Sequence, residues 1–178
     1  MTANLNKVRE AENILGEKFL VDHRKLDLVE IQSLKSAEII KKKAEEAYKI
    51  LKLPVLVDDT SLSFAAWNGL PGPLIKWFVE RMGEPGLCRM LKGEKNRKAT
   101  VTCSVAFYDG KKIKIVNVEE EGIITDKPMG KAGFGFDSIF IPKGQKKTYA
   151  QMTSEEKDKI SHRKLALEKM RKYLNQSS

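Results

Sequence analysis

Pro54-Val55-Leu56-Val57-Asp58-Asp59-Thr60-Ser61-Leu62 is the stretch on which the reading of the chain turns. An apolar run entered through proline and closed by two adjacent carboxylates has the pattern of a buried strand that delivers acids to the edge of a sheet. Ligands of open α/β sheets gather at the carboxyl ends of strands. Two acids there can hold a hard divalent cation, or one can activate water beside it. The same residues also suit a polar turn after a strand.

Outward from that stretch, helices and strands alternate. Thr2 to Leu15 reads as a helix, with Val8, Ala11, Ile14 and Leu15 apolar at helical spacing and Gly16 as its stop. A strand is expected within Phe19 to Leu28, and a second helix from Ser36 to Leu51 with Ile39, Ile40, Ala44, Ala47, Tyr48 and Leu51 as its stripe. Val55 to Asp58 is the buried strand, and a further strand is expected over Leu62 to Ala65. Gly69-Leu70-Pro71-Gly72-Pro73 reads as a rigid loop leading into a helix through Arg81, and Pro85 opens another short helix to Leu91. Thr100 to Tyr108 alternates, Asp109-Gly110 is a hairpin turn, and Ile113 to Val118 is the return strand. A short strand at Ser138 to Ile141 follows. Thr153 and Glu156 form a capping box, and Ser161 caps a last helix with Leu165, Leu167, Met170 and Leu174 inward. The order predicts a mixed α/β fold in which the hairpin extends a curved sheet.

The 178 residues suit one domain, or one with two lobes. A chain of this length buries roughly 70% of its unfolded surface, so no metal or disulfide staple is required. The two cysteines, Cys88 and Cys103, lack metal-ligand spacing and fit a reducing, intracellular setting. No apolar run reaches the roughly 20 residues of a membrane helix, and Met1-Thr2-Ala3-Asn4 does not open a secretion signal. Net charge is +9. From Lys143 to Ser178 there are ten Lys or Arg against four Asp or Glu, so much of the excess sits in the last fifth. Such a balance calls for an anionic partner: nucleic acid, a membrane face or a phosphorylated small molecule. Basic residues interleaved with acids, and the lack of a helix-turn-helix, RNA-recognition or zinc-finger pattern, argue against nucleic acid.

Four clusters carry chemistry. Asn4 and Lys7 share one face at the start of the first helix, where free N–H groups, an amide and an ammonium suit phosphate; they also suit an ordinary cap and a surface lysine. Ser161-His162-Arg163 opens the last helix with Lys157 four residues upstream, and an anion there would offset the cost of an arginine in a first turn. In Gly130 to Asp137 three glycines let the backbone approach a ligand, Phe134 can stack on a planar base, and Asp137 can accept from a ring N–H; a flexible loop with two core phenylalanines reads equally from the same residues. Glu30 is a third carboxylate for Asp58 and Asp59, or a solvated side chain.

Taken in order, these segments resemble the inosine triphosphate pyrophosphatases, the XTP/dITP diphosphatase family. Thr2-Ala3-Asn4-x-x-Lys7 is similar to its N-terminal phosphate motif, Asp27-Leu28-x-Glu30-Ile31-Gln32 to its acidic metal-side segment, and Val57-Asp58-Asp59-Thr60 with Gly69-Leu70-Pro71-Gly72-Pro73 to its central signature. Gly133-Phe134-Gly135-Phe136-Asp137 resembles its base-binding loop, and Ser161-His162-Arg163 its terminal motif. The resemblance implies an elongated two-lobed mixed sheet flanked by helices, with a cleft between lobes, as a single domain over residues 1–178. It implies Mg²⁺-dependent hydrolysis of ITP, dITP or XTP to the monophosphate and pyrophosphate, in a cytoplasmic homodimer with no nucleic-acid or membrane partner. Thr2, Asn4, Lys7, Lys43 and Lys157 would hold phosphates. Glu30 and Asp59 would bind the metal, Asp59 orienting the attacking water with Lys43 beside it and Asp58 as its brace. Phe134, with Gly135 and Phe136, would receive the purine, and Asp137, Ser161, His162 and Arg163 would read its edge. The family's short apolar strand ahead of the first motif is not seen here, where only Met1 precedes Thr2, and loss of that strand would weaken the placement of Asn4 and Lys7. Other readings are a pyrophosphatase of other nucleotides, or a basic nucleotide- or nucleic-acid-binding protein without turnover.

Overall fold

The computed structural model describes residues 5–16 and 18–176. Thr2 and Asn4 lie outside the described residues, as does the first part of the helix expected from Thr2. The helices are α1 (Leu5–Leu15), α2 (Ser36–Leu51), α3 (Ile75–Met90), α4 (Ser154–Ile160) and α5 (His162–Gln176). The strands are β1 (Val55–Phe64), β2 (Pro71–Gly72), β3 (Lys98–Tyr108), β4 (Ile113–Ile124) and β5 (Phe140–Pro142). They form a sheet in the order β2-β1-β3-β4-β5. β1 and β2 are antiparallel, Leu62 facing Gly72, and β4 and β5 are antiparallel, Ile123 facing Ile141. The mixed α/β class is as expected.

Two local expectations change. The acidic pair is not at a strand end. β1 runs on without a break through Thr60-Ser61-Leu62-Ser63-Phe64, where Leu62 and Phe64 are fully buried, on the opposite parity to Val55 and Val57. Asp58 and Asp59 are therefore mid-strand. Phe19 to Leu28 is not a strand. Phe19, Val21, Leu26 and Leu28 pack inward, but the polar run Asp22-His23-Arg24-Lys25 interrupts them and no ladder forms. Inward alternation settles which side chains pack, whereas a strand also needs a neighbouring edge to pair with. Trp77 is 54% exposed, since its helix position points away from the stripe through Ile75 and Val79.

Contacts divide the chain into two compact units, one holding the segment up to Asp59, Cys103–Val118 and the segment from His162, the other Thr60–Thr102 and Glu119–Ser161. In the first, α2 lays Ile40, Ala44 and Ala47 on Val55, Val57 and Ala106. These positions recur at helical spacing on α2 and at alternate positions on β1. A second cluster joins Leu15 of α1 and Ala166, Leu167 and Met170 of α5 to Cys103, Val105 and Leu56. Val55 and Val57 thus face α2, while Leu56 faces the α1 and α5 side. In the second unit, Leu62, Phe64, Leu87, Leu91, Val101, Ile139, Phe140 and Tyr149 form the core. Replacing Ile40, which is completely buried, by alanine is expected to cost about 2–5 kcal/mol in urea unfolding.

Candidate functional site

In the first unit the alternation of β1 sends its two acids to opposite faces. Asp58 follows Leu56 towards α1 and α5. Its Oδ2 lies 2.9 Å from Lys7 Nζ and 3.1 Å from Arg163 Nε. Arg163 Nη1 lies 3.2 Å from Glu10 Oε2. Lys7, Glu10, Ala11 and Ile14 fall at i, i+3, i+4 and i+7, so one face of α1 supplies both the charges and the apolar contacts. Arg163 is 3% exposed in the first turn of α5. The anion that offsets its position against the helix dipole comes from the protein itself, as Asp58 and Glu10. Burial pushes the Asp58 carboxyl up, but the charges of Lys7 and Arg163 outweigh it and hold the group well below the usual carboxylate range. Burial likewise opposes the charge on Arg163, and Asp58 and Glu10 reverse that effect, so its guanidinium holds its proton still more firmly.

Asp59 follows Val57 towards α2. Lys43 sits three residues after Ile40 and four before Ala47, inside the buried stripe of α2, so its ammonium is carried to the sheet rather than to water. Lys43 Nζ is 2.7 Å from Glu30 Oε1 and 3.8 Å from Asp59 Oδ1. The first is a charge-assisted hydrogen bond and the second is too long to be one. Burial, with further contributions from Glu30 and Asp58, raises the Asp59 carboxyl above its ordinary value despite Lys43 and Lys7. Lys43 is lowered by burial but raised more by Asp59, Glu30 and Asp58, and its proton is held. Two carboxylates from separate segments on one ammonium form an all-oxygen donor set, and Mg²⁺ is commonly held by one or two carboxylates plus water and substrate phosphate. Among the described residues no group of three or more His, Cys, Asp or Glu surrounds a single point.

In the second unit the glycine loop is organised by Asp137. Its Oδ2 accepts from the Phe134 N–H at 2.9 Å and from Lys157 Nζ at 2.7 Å. Gly133 has φ 79°, and a Cβ there would collide with the Asp137 carboxylate, so glycine is required at that position. Lys157 Nζ stands 5.2 Å from the Phe134 ring centroid and 5.3 Å from that of Tyr149, at cation–π distance from both. Phe134 is half-buried, whereas Phe136 is 8% exposed and belongs to the core.

The structure places the expected residues as follows. Phe136 packs in the core. Asp137 is engaged by Lys157 and the Phe134 amide. Lys157 is paired within its own loop cluster. Asp58 pairs with Lys7 and Arg163. Arg163 is buried against two carboxylates, and His162 and Ser161 are buried beside it in sequence. Ser161 closes α4 immediately ahead of α5, and Gly135 has φ 66° with open space above its Cα. Glu10 and Tyr149 went unforeseen. Glu10 had a signal in its i+3 spacing from Lys7, whereas Tyr149 had none.

The Ham1 family profile matches residues 1–173. The chain belongs to the Ham1 family. The chain is similar to an inosine triphosphate pyrophosphatase of Schizosaccharomyces pombe, 42% identical over 98% of this chain and 93% of that protein. Inosine triphosphate pyrophosphatase 2 of Trypanosoma cruzi is 46% identical over 94% of this chain and 86% of that one. Among solved structures, a HAM1 protein from Coxiella burnetii aligns with a TM-score of 0.86 at 28% identity, over 98% of this chain and 96% of its own.

The two acids of β1 have opposite effects on stability. Asp58 titrates lower folded than unfolded, so its contribution is complete above about pH 4 and is lost as pH falls towards the folded value. Asp59 titrates higher folded than unfolded, so its contribution is complete below about pH 4 and is lost as pH rises through the folded value. Asp58→Asn strands Lys7 and leaves Arg163 with Glu10 alone, and is expected to cost about 3–5 kcal/mol at pH 7. Asp59→Asn in metal-free buffer is expected to raise the melting temperature at pH 7 and to lose that advantage near pH 4. Thermal melts of both variants from pH 3 to 8 check this, and equal shifts for the two would contradict it.

Proposed function

We propose that this Ham1 protein hydrolyses the anhydride between the α and β phosphates of non-standard purine nucleoside triphosphates (ITP, dITP, XTP), releasing the monophosphate and pyrophosphate. The observation that carries this reading is the meeting of Asp59, Glu30 and Lys43 in a chain whose relatives are named inosine triphosphate pyrophosphatases. Glu30 and Asp59 would hold Mg²⁺, which when bound neutralises charge gathering on the phosphoryl oxygens. Asp59, with its proton affinity lifted by burial, is suited to accept the proton of the attacking water. The water oxygen bonds to the α phosphorus, the bond from that phosphorus to the bridging oxygen breaks, and pyrophosphate leaves with the bond's electron pair. Lys43 keeps the two acids close without a full hydrogen bond to Asp59, leaving that carboxylate available. Lys7, with Thr2 and Asn4, supplies polar groups for phosphate, and Phe134 a face for the purine.

The reading includes a cytoplasmic homodimer. Both cysteines are free and buried, no described helix is long and apolar enough to cross a membrane, and Leu70, Trp77 and Met82 present apolar surface from the second unit.

The test is incubation with Mg²⁺ and ITP, XTP, ATP or GTP, with pyrophosphate and orthophosphate measured separately. Pyrophosphate from ITP and XTP, slow turnover of ATP, and a loss of about 10²-fold or more in kcat for Asp59→Asn are expected. Orthophosphate as first product overturns the bond assignment, and equal turnover of ITP and ATP overturns the substrate assignment.

A further inference from the structure

The helix α3 is broken at Gly83, whose φ of 62° and ψ of 179° are not helical, and it restarts through Pro85. Glu84 lines a cavity of about 290 Å³ together with Pro85, Lys131, Gly133, Phe134 and Ser138. All of these belong to the second unit. Glu84 is half-buried and, among the described residues, has no hydrogen-bond or ion-pair partner. Ser138 Oγ is buried and likewise without a partner. A buried, unsatisfied hydroxyl such as that of Ser138 is rare and asks for an explanation. Asp137, the loop carboxylate that the sequence suggested as acceptor for a ring N–H, is committed to Lys157 and the Phe134 amide. The carboxylate that lines the same cavity as Phe134 and has no hydrogen-bond or ion-pair partner among the described residues is Glu84.

We propose that Glu84 is a specificity-determining residue of the nucleobase pocket, its carboxylate accepting the ring N–H of a 6-oxopurine that stacks on Phe134. The assignment rests on the reading above that Phe134 receives the base. Its chemistry is selective. Hypoxanthine, xanthine and guanine all carry a proton on N1. Adenine presents a bare N1 lone pair, which meets an ionised carboxylate with no hydrogen between them. A pocket that holds an acceptor rejects a ligand lacking the matching donor far more strongly than an apolar pocket does. Glu84 thus sorts 6-oxo from 6-amino purines and does not separate hypoxanthine from guanine.

Equilibrium binding of IMP, GMP and AMP to the full chain, followed by calorimetry, tests the assignment without depending on turnover. Glu84→Gln keeps the shape but adds a donor that adenine N1 can use. It is expected to lower the ratio of IMP to AMP affinity by roughly tenfold, with GMP following IMP. Glu84 lies outside the core, and an unchanged melting temperature confirms that the variant is folded. Phe134→Ala reports separately on stacking and is expected to weaken IMP and AMP together. A loss in Phe134→Ala with an unchanged ratio in Glu84→Gln overturns the role of Glu84 alone. No loss in Phe134→Ala, or no binding of IMP by the wild type, overturns the stacking reading and the proposal with it.

Discussion

A carboxylate buried between an ammonium and a guanidinium ties the first unit together. Asp58 draws Lys7 from α1 and Arg163 from α5 onto one oxygen of β1, and Glu10 takes up the remaining charge of the arginine. Taking charges out of water is costly, and such a group is favourable only when each member is matched. Here two acids face two bases, and each contact is near hydrogen-bonding distance. The apolar contacts between α1, α5 and β3 can form in more than one rotation of a helix, whereas this polar arrangement fits only one. We therefore regard it as the constraint that fixes which face of α1 and which turn of α5 meet the sheet.

The neighbouring acid follows the opposite logic. Asp59 is almost as buried, but its nearest cation stands 3.8 Å away and is bonded more closely to Glu30. One residue of β1 is compensated and the next is not, because a strand turns successive side chains to opposite faces and the helices behind those faces differ. α1 and α5 bring surplus charge, while α2 brings a single lysine in an otherwise apolar stripe. Stabilising ion pairs are concentrated on one face, and the less compensated carboxylate lies on the other.

Much of this was legible in the sequence. The amphipathic stripes of α2 and α5, the Asp109-Gly110 hairpin and the Thr153–Glu156 capping box each rest on local chemistry, and each formed where expected. What escaped depended on contacts distant in the chain. Phe19 to Leu28 has the alternation of a strand, but alternation cannot say whether an edge is available to pair. The end of β1 was misplaced because two charges look like a stop, and only the partners Lys7, Arg163 and Lys43 make them tolerable inside a sheet. The roles of Asp137 and Phe136 were not separable from spacing alone, since both belong to a glycine loop whose folding onto Lys157 and the core is a tertiary event.

The position of the acids in the middle of β1 has a consequence for how the chain tolerates change. Because side chains alternate with a period of two, sliding this strand by a single residue against its neighbours would exchange the two aspartates: the braced one would meet α2 and the strained one would meet Lys7 and Arg163. An insertion or deletion between Pro54 and Asp58 therefore does more than lengthen a loop. It rewrites which carboxylate is anchored and which is poised, so we expect the spacing of these few residues to be less negotiable than the identity of the apolar ones among them.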